Sequence, residues 1–333
     1  MNCGCRLFYG IDVIDGLKTL QTESVHCVVT SPPYWGLRDY GTDGQIGLEK
    51  TPEEFVQKMV EVFREVRRVM TKDGTLWLNL GDSYYNYRGK NNRRSDKDLT
   101  KRNTLTKPHH NIDARPNEMK ISGFKNKDLM GIPWKVAFAL RDSGWYLRQD
   151  IIWHKPNPMP ESVKDRCTKA HEYVFLFSKS ERYFFDNEAI KEVSIYKRPP
   201  AVPVGWDTGT GSHRSLKGRY RNSAPKGSFN GKTEAMAGTG QNAFRAIVET
   251  KNKRSVWTVA TKPYAGAHFA TFPPQLIMPM IQAGCPQGGV VLDPFGGSGT
   301  TAQVALSLGR KAILIDINKK YEPLAMERIK GAL

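Results

Sequence analysis

The chain contains 333 residues, and its 50 Lys and Arg against 33 Asp and Glu give a formal charge of +17. That length suits one large α/β domain with an insertion, or two modest domains. No apolar run approaches the roughly 18 residues that cross a membrane, and the N-terminus lacks a signal-peptide pattern, so we expect a cytoplasmic protein with no membrane partner. The five cysteines lack the paired spacing of a disulfide framework or a zinc site, so we expect no metal.

Short apolar runs alternate with amphipathic helical patterns, which predicts an α/β fold with a mostly parallel sheet. A helix is predicted over 52–70, where apolar residues recur at helical spacing, with Thr51 as its cap and Glu54 three residues further on. Another helix is predicted to begin near Gly299. Seven strands are predicted, over 7–11, 25–29, 75–80, 146–153, 172–177, 289–292 and 311–315.

Two basic segments, 83–128 and 187–256, do not follow this alternation. They hold 15 of the 17 excess positive charges, together with isolated aromatic residues. Such concentrated charge suits a polyanion whose counterions are released on binding, although solvated loops are the alternative for either segment alone. Their composition indicates insertions on an α/β core.

Polar residues that could bind a ligand or take part in catalysis follow five of the predicted strands. They are Asp12, Ser31, Asp82, Asp293 and Asp316. Because the carboxyl ends of parallel strands meet at one edge of a sheet, and ligands bind at that edge, we expect these residues to share one location. Asp82 also has the simpler interpretation of a loop cap.

A strand runs into a glycine-rich turn and then a helix at 290–301, whose sequence is VVLDPFGGSGTT. Glycines let a ligand approach the backbone closely, and the following helix N-terminus favours negative charge. No Lys precedes the Thr pair and the spacing is not that of a dinucleotide fingerprint, so this is not a Walker loop. Asp316, after the next strand, can accept hydrogen bonds from both ribose hydroxyls of an adenosine.

The segment 30–34, TSPPY, follows the strand predicted at 25–29. Two prolines fix the backbone, so the Pro32 carbonyl and the Ser31 hydroxyl can act as hydrogen-bond acceptors beside the flat face of Tyr34. Acceptors beside a stacking ring are what an exposed nucleobase amino group needs. An ordinary Pro-Pro turn is the alternative for these residues taken alone.

Together, TSPPY and DPFGGSGTT resemble the amino-group (N4-cytosine/N6-adenine) DNA methyltransferases, and their order along the chain resembles the beta class of that family. The resemblance covers 7–80, 144–185 and 268–329. It implies a Rossmann-like, circularly permuted S-adenosylmethionine-dependent methyltransferase fold, with a mostly parallel sheet and basic insertions. The two basic segments take no part in the resemblance. We expect 1–186 and 257–333 to form the catalytic and cofactor-binding domain, with a basic loop insertion at 83–128, and we expect 187–256 to be a DNA target-recognition region.

Site residues are carried over from the family position by position. Asp316 corresponds to the ribose-binding acid, which is more often Glu in the family, and Asp12 to the acid near the adenine. Segment 268–273, with Phe269, resembles the part that packs against the methionine end. The remaining residues assigned to S-adenosylmethionine are Thr30, Asp293, Phe295, Gly296, Gly297, Ser298, Gly299 and Thr300. The residues assigned to catalysis are Ser31, Pro32, Pro33 and Tyr34.

A Ser at the start of the tetrapeptide is associated with cytosine in this family, so Ser31 favours the N4 amino group, with adenine N6 as the alternative. Hydrogen bonds from the amino group to Ser31 and Pro32 would aim its nitrogen at the methyl group. Ring-carbon methylation needs a thiolate, and none of the five cysteines follows a proline as that chemistry requires. The base must be flipped out and stacked on Tyr34. Because Phe keeps the ring face, we expect Tyr34→Phe to keep much of the activity.

Double-stranded DNA is the partner that the resemblance implies, in a bacterial, archaeal or phage-encoded protein. A homodimer and an accompanying restriction endonuclease are both compatible with it. Methylation of RNA or of a protein amine, and a non-catalytic DNA-binding protein with a retained cofactor fold, are the other hypotheses. The basic residues expected to contact DNA are Arg93, Arg94, Lys101, Arg102, Arg214, Lys217, Arg219, Arg221, Lys251, Lys253 and Arg254.

Aromatic and polar residues near the strand predicted at 146–153 have simpler interpretations. Trp134, Trp145 and Trp153 are expected to pack in the core or in cleft walls. Lys155, just after that strand, could line a DNA cleft, whereas Glu172 is interpreted as an ordinary strand entry.

Overall fold

A computed structural model describes residues 4–37, 41–86, 120–193, 250–261 and 272–331. The strands are β1 Cys5–Tyr9, β2 Val25–Thr30, β3 Met70–Leu80, β4 Tyr146–His154, β5 His171–Ser178, β6 Glu192–Val193, β7 Thr250–Lys251, β8 Val256–Thr258, β9 Val290–Asp293 and β10 Lys311–Asp316. The α-helices are α1 Val13–Lys18, α2 Pro52–Val69, α3 Ile132–Asp142, α4 Pro274–Gly284, α5 Thr300–Ser307 and α6 Glu322–Lys330.

Eight of these strands form one sheet in the order β1-β10-β9-β2-β3-β5-β4-β8. The run from β1 to β3 is parallel throughout, β5 is antiparallel to both of its neighbours, and β4 pairs in parallel with β8. The mostly parallel α/β sheet predicted from the sequence is confirmed. The strand order reverses between β9 and β2, so the connections on the two sides of this boundary run in opposite directions. Open sheets bind ligands at such a switch point.

The seven predicted strands all form, with shifts at their ends. β1 lies at Cys5–Tyr9 rather than 7–11 because Gly10, with φ +79°, turns the chain out of the strand. β3 begins five residues before its predicted start, directly after α2. The three-residue β8 was not predicted, since so short a strand carries no readable period.

Helix α2 forms one side of the core. It ends at Val69, one residue before the prediction, and Thr51 and Glu54 form the expected reciprocal capping box. Its apolar residues at helical spacing are fully buried, and each contributes about 1.5 to 3 kcal/mol to stability. They include Phe55, Met59, Val62, Phe63 and Val66.

Two compact units divide the chain. The first, Met1–Asp186 with Arg254–Leu333, contains the eight-stranded sheet. The second is Asn187–Lys253, and its described part consists of the 3-10 helix Glu188–Ile190 and an antiparallel pair of β6 and β7. Across the described ranges, none of the helices combines the length and the apolar character needed to span a membrane.

Candidate active site

The polar residues predicted to share one edge of the sheet do so. Asp12, Ser31 and Asp82 follow β1, β2 and β3, while Asp293 and Asp316 end β9 and β10. Because β5 runs antiparallel to β3 and β4, its first residues and the last residues of β4 lie at the same edge. This edge therefore combines one part built from β1, β9 and β10 with another built from β2, β3, β4 and β5.

Glycines in the turn after β9 serve different purposes. A Cβ on Gly296 would lie 2.8 Å from Leu314 Cβ, and one on Gly299, where φ is +84°, would lie 2.9 Å from Ala325. These two glycines let the turn pack on β10 and α6. Gly297 also has positive φ, yet a Cβ there would meet only the Phe295 carbonyl at 3.9 Å, so its face opens to space.

Asp293 joins the glycine turn to β2. Its Oδ1 accepts hydrogen bonds from Thr30 Oγ1 at 2.6 Å and from Phe295 N at 3.0 Å, and its Oδ2 accepts one from Thr301 Oγ1 at 2.6 Å. The side chain is 2% exposed, and burial raises the pKa of Asp293 to about 6. Both oxygens of Asp293 are thus engaged inside the protein, so the side chain organises the turn, and its expected role in cofactor binding stays a prediction.

Asp316 supports the same turn from β10. Its Oδ2 accepts from Gly297 N and its Oδ1 from Asn318 N, each at 2.8 Å, and burial raises the pKa of this carboxyl. Tyr9, which the sequence did not single out, donates to the Gly297 carbonyl at 2.8 Å. Burial, reinforced by Asp316, holds the pKa of the Tyr9 hydroxyl far above its usual range. The backbone of Gly297 is therefore fixed from both sides.

Two other predicted cofactor residues have clear positions. Asp12 caps α1, where its Oδ1 accepts from Ile14 N at 2.8 Å. The Ser298 hydroxyl oxygen is buried and has no hydrogen-bond partner among the described residues. Phe269 lies outside the described residues, as does most of segment 268–273.

Tyr34 is the centre of a hydrogen-bond cluster at the ends of β2, β3 and β5. Its hydroxyl donates to Glu172 Oε2 at 2.7 Å, and it accepts from Asn79 Nδ2 at 2.8 Å and from Ser31 Oγ at 3.4 Å. Asn79 Nδ2 also donates to Glu172 Oε2 at 2.8 Å, and Lys155 pairs with the other carboxylate oxygen. Burial, with Glu172 next in importance, raises the pKa of the Tyr34 hydroxyl well above its usual value.

Sequence reasoning missed Asn79 and Glu172 as site residues. Asn79 is an amide inside the apolar run LWLNL of β3, and it is 3% exposed. A buried amide needs partners, so this break in an apolar strand was a readable signal. Glu172 gave no such signal, because a carboxylate near the end of a strand is common.

Several simpler interpretations are confirmed. Asp82 caps α3 by accepting from Gly131 N at 3.0 Å and Ile132 N at 3.2 Å. Trp145 and Trp153 are buried, and Trp134 packs edge-on against Phe175 with ring centroids 5.1 Å apart.

Of the basic residues expected to contact DNA, three are among the described residues. Lys251 and Lys253 lie 3.9 Å and 3.4 Å from the Glu192 carboxylate, and Arg254 begins the second stretch of the larger unit. The remaining eight lie outside the described residues.

The sheet order and the glycine turn define a class, the S-adenosylmethionine-dependent methyltransferase fold. PvuII DNA methyltransferase (cytosine-N4-specific) shares it, with a TM-score of 0.60 and 18% identity over 97% of this chain and 86% of that one. A DNA modification methylase of Thermus thermophilus, TTHA0409, in complex with S-adenosyl-L-methionine, shares it at a TM-score of 0.55 and 22% identity over 98% of this chain and 93% of that one.

A family model described as DNA methylase (N6_N4_Mtase) matches residues 25–327, and the chain belongs to this family. It is 45% identical to Type II methyltransferase M.XycI of Xanthomonas campestris pv. cyanopsidis, over 98% of this chain and 88% of that protein. It is 42% identical to Type II methyltransferase M.Cfr9I of Citrobacter freundii, with the same coverage. The resemblance found in the sequence is thereby confirmed, and the protein is an S-adenosylmethionine-dependent DNA methyltransferase.

The residues of the glycine turn fit that cofactor. Gly297 leaves open space beside a backbone fixed by Asp316 and Tyr9, and Ser298 adds a polar atom without a partner among the described residues. Asp316 accepts from a backbone N–H group with each of its oxygens, and Asp12 does so with Oδ1. Carboxylate oxygens retain further lone pairs for hydroxyl or amino donors.

Proposed function

We propose that this DNA methyltransferase is site-specific and transfers the methyl group to the exocyclic N4 amino group of cytosine in duplex DNA. One observation carries the proposal: Ser31 and Tyr34 lie at the end of β2, whose last residue, Thr30, is hydrogen-bonded to Asp293 of the glycine turn. A base bound at the first motif is thus brought beside a cofactor bound at the second. Bound S-adenosylmethionine supplies the electrophilic methyl group.

Ser31 supports transfer to an amino group, and the Ser at the start of the tetrapeptide favours cytosine over adenine as the base that carries it. Its hydroxyl donates towards the Tyr34 oxygen, which leaves the Ser31 lone pairs free to accept from an amino N–H. With the Pro32 carbonyl as second acceptor, the two hydrogen bonds return electron density to the amino nitrogen and orient it. Tyr34 stacks on the base after it leaves the duplex, and no covalent enzyme intermediate forms.

Cofactor binding is assigned to the turn and its supports. The residues are Asp12, Thr30, Phe269, Asp293, Phe295, Gly296, Gly297, Ser298, Gly299, Thr300 and Asp316. Among them, Asp293 and Thr30 act by shaping the turn, whereas Asp316 and Asp12 accept hydrogen bonds from the cofactor. The target-recognition role is assigned to 187–256, whose positive charge suits DNA phosphates.

The test is expression in a host without DNA methylation of its own, followed by digestion of the DNA to nucleosides and sequencing of modified positions. We expect 4-methylcytosine at one sequence, and a much smaller amount of it with Tyr34→Ala. If only 6-methyladenine were found, the target base would be adenine and not cytosine. Finding 5-methylcytosine would refute direct transfer to an amino group.

A restriction endonuclease with the same target site is a further part of the proposal. The relatives at 42–45% identity are named Type II methyltransferases, which supports such a pairing. DNA from the expressing host should resist an endonuclease that cuts the mapped sequence. Cleavage at every site would contradict a protective role of the methylation, and with it the pairing with an endonuclease.

A further inference from the structure

We propose that Glu172 is a positioning residue for methyl transfer: through the Tyr34 hydroxyl it fixes the ring on which the target base stacks. This inference rests on the proposed role of Tyr34. It assigns a function to the start of β5, which no sequence motif identified.

The hydrogen bonds around Tyr34 hold its ring rather than merely satisfying its hydroxyl. Glu172 Oε2 accepts from Tyr34 at 2.7 Å, and Asn79 Nδ2 donates to both the tyrosine oxygen and the carboxylate, each at 2.8 Å. These three groups form a closed triangle from β2's end, β3 and β5. A ring tied at its far end by such a triangle cannot swing without breaking at least one charge-assisted hydrogen bond.

The carboxylate of Glu172 is itself held in place. Lys155, after β4, forms an ion pair with Glu172 Oε1, and the two side chains are 19% and 16% exposed. The Lys155 ammonium also lies 4.4 Å from the centroid of the Trp153 ring. Each oxygen of Glu172 thus has a partner, and the side chain has one favoured orientation.

Gly81, directly after β3, lies against the Tyr34 ring. A Cβ at this position would lie 2.5 Å from Tyr34 Cε2 and 3.0 Å from Cδ2, so the ring rests on a surface that only glycine provides. Gly81 does not have a positive φ, so its backbone conformation would allow other residues. The contact with Tyr34 is therefore what excludes a side chain at this position. Glu172 holds the hydroxyl of Tyr34, and Gly81 contacts the carbon atoms of its ring.

A fixed stacking ring matters because misplacement by about 1 Å can cost roughly a hundredfold in rate. Glu172→Ala should therefore lower kcat at least about tenfold with cofactor affinity unchanged. Glu172→Gln retains one acceptor oxygen for Tyr34 and should keep more activity than Glu172→Ala. Tyr34→Phe should lose activity to the extent that Glu172→Ala does, in contrast to the expectation from the ring face alone.

The experiment uses the full-length protein, S-adenosylmethionine and a duplex that contains the mapped target sequence. It measures kcat, KM, cofactor Kd and melting temperature for Glu172→Ala, Glu172→Gln, Gly81→Ala, Tyr34→Phe and the double variant Tyr34→Phe/Glu172→Ala. Glu161→Gln is the matched control: its carboxylate pairs with Arg166 at 2.6 Å in the same connection between β4 and β5, and it should leave kcat unchanged.

The inference predicts that the double variant is no slower than Tyr34→Phe, because Glu172 acts through the hydroxyl that Phe lacks. Full additivity of the two losses, or wild-type kcat in Glu172→Ala, would overturn it. Where Glu172→Ala does not fold, Glu172→Gln decides: a severalfold loss of kcat with parental melting temperature supports the inference, and wild-type kcat refutes it. Absence of methylation by the parent protein would instead refute the proposed function.

Discussion

The glycine turn and the Tyr34 cluster lie at the same edge of the sheet, but they are built differently. The turn is formed mainly by backbone from one continuous stretch, 290–301, and small residues give it its shape. The cluster is formed by side chains on two strands, β3 and β5, and on the connections that follow β2 and β4, and its Tyr34–Glu172 hydrogen bond joins residues 138 positions apart. A site formed by one continuous stretch of backbone can be predicted from the sequence. A site assembled from side chains on different strands can be recognised only when the pairing of the strands is known.

The largest expected effect separates the two regions by function. Tyr34→Ala removes the stacking ring, a contact worth about 1 to 3 kcal/mol per base, and should lower kcat at least about tenfold. The glycine turn is untouched, so cofactor Kd, measured by calorimetry, should match the parent. A variant that loses cofactor binding as well would show that the two regions are not functionally distinct.

A second prediction distinguishes glycines within the turn. Gly299→Ala combines a left-handed backbone with a Cβ 2.9 Å from Ala325, and should lower the free energy of unfolding by about 2 to 4 kcal/mol. Gly297→Ala should cost only about 1 kcal/mol, because its Cβ enters open space. That same Cβ should weaken cofactor binding. Denaturant unfolding and cofactor titration of both variants test this, and equal stability losses would contradict it.

Asp293, between the two regions, gives a smaller, pH-dependent effect. Burial raises its pKa to about 6, above the unfolded value, so its contribution to stability is complete below pH about 4 and lost as pH rises through about 6. Asn is uncharged throughout. The free energy of unfolding of Asp293→Asn, relative to the parent, should therefore rise by about 1 kcal/mol from pH 5 to pH 8. Urea unfolding at both pH values measures this difference, and a pH-independent result would show that the Asp293 carboxyl does not change its protonation state between pH 5 and pH 8.

The smallest expected effect concerns neither region. Replacing Lys251 and Lys253 by Ala should weaken DNA binding and reduce the salt slope by up to about two units, roughly one per phosphate contact. Glu192, close to both, limits the effect. Cofactor affinity should not change. Salt titrations that superimpose on the parent would assign these charges to Glu192 alone.

Much of the fold followed from local patterns. Alternating strands and helices, the capping box of α2 and the glycine turn depend on residues within a few positions of one another, and each formed where or close to where it was predicted. The short β8 was not predicted because three residues show no period. The roles of Asn79 and Glu172 were missed for another reason. These residues meet because β3 and β5 are antiparallel neighbours, with Leu80 opposite Tyr173, and no spacing in the sequence indicates that pairing. Asp293 was placed correctly, but its inward orientation depends on Thr30, 263 residues away.

The pairing of β1 with β10 bears on how the protein is made. β1 contains residues Cys5–Tyr9, and its neighbour in the sheet is β10, where Cys5 lies opposite Ala312. During synthesis, about 300 further residues must therefore follow β1 before its partner strand exists. The Thr30–Asp293 hydrogen bond closes over almost the same span. Such long-range closure slows folding and exposes an unpaired strand edge meanwhile. It also means that a nascent chain cannot modify DNA before β10 has been synthesised.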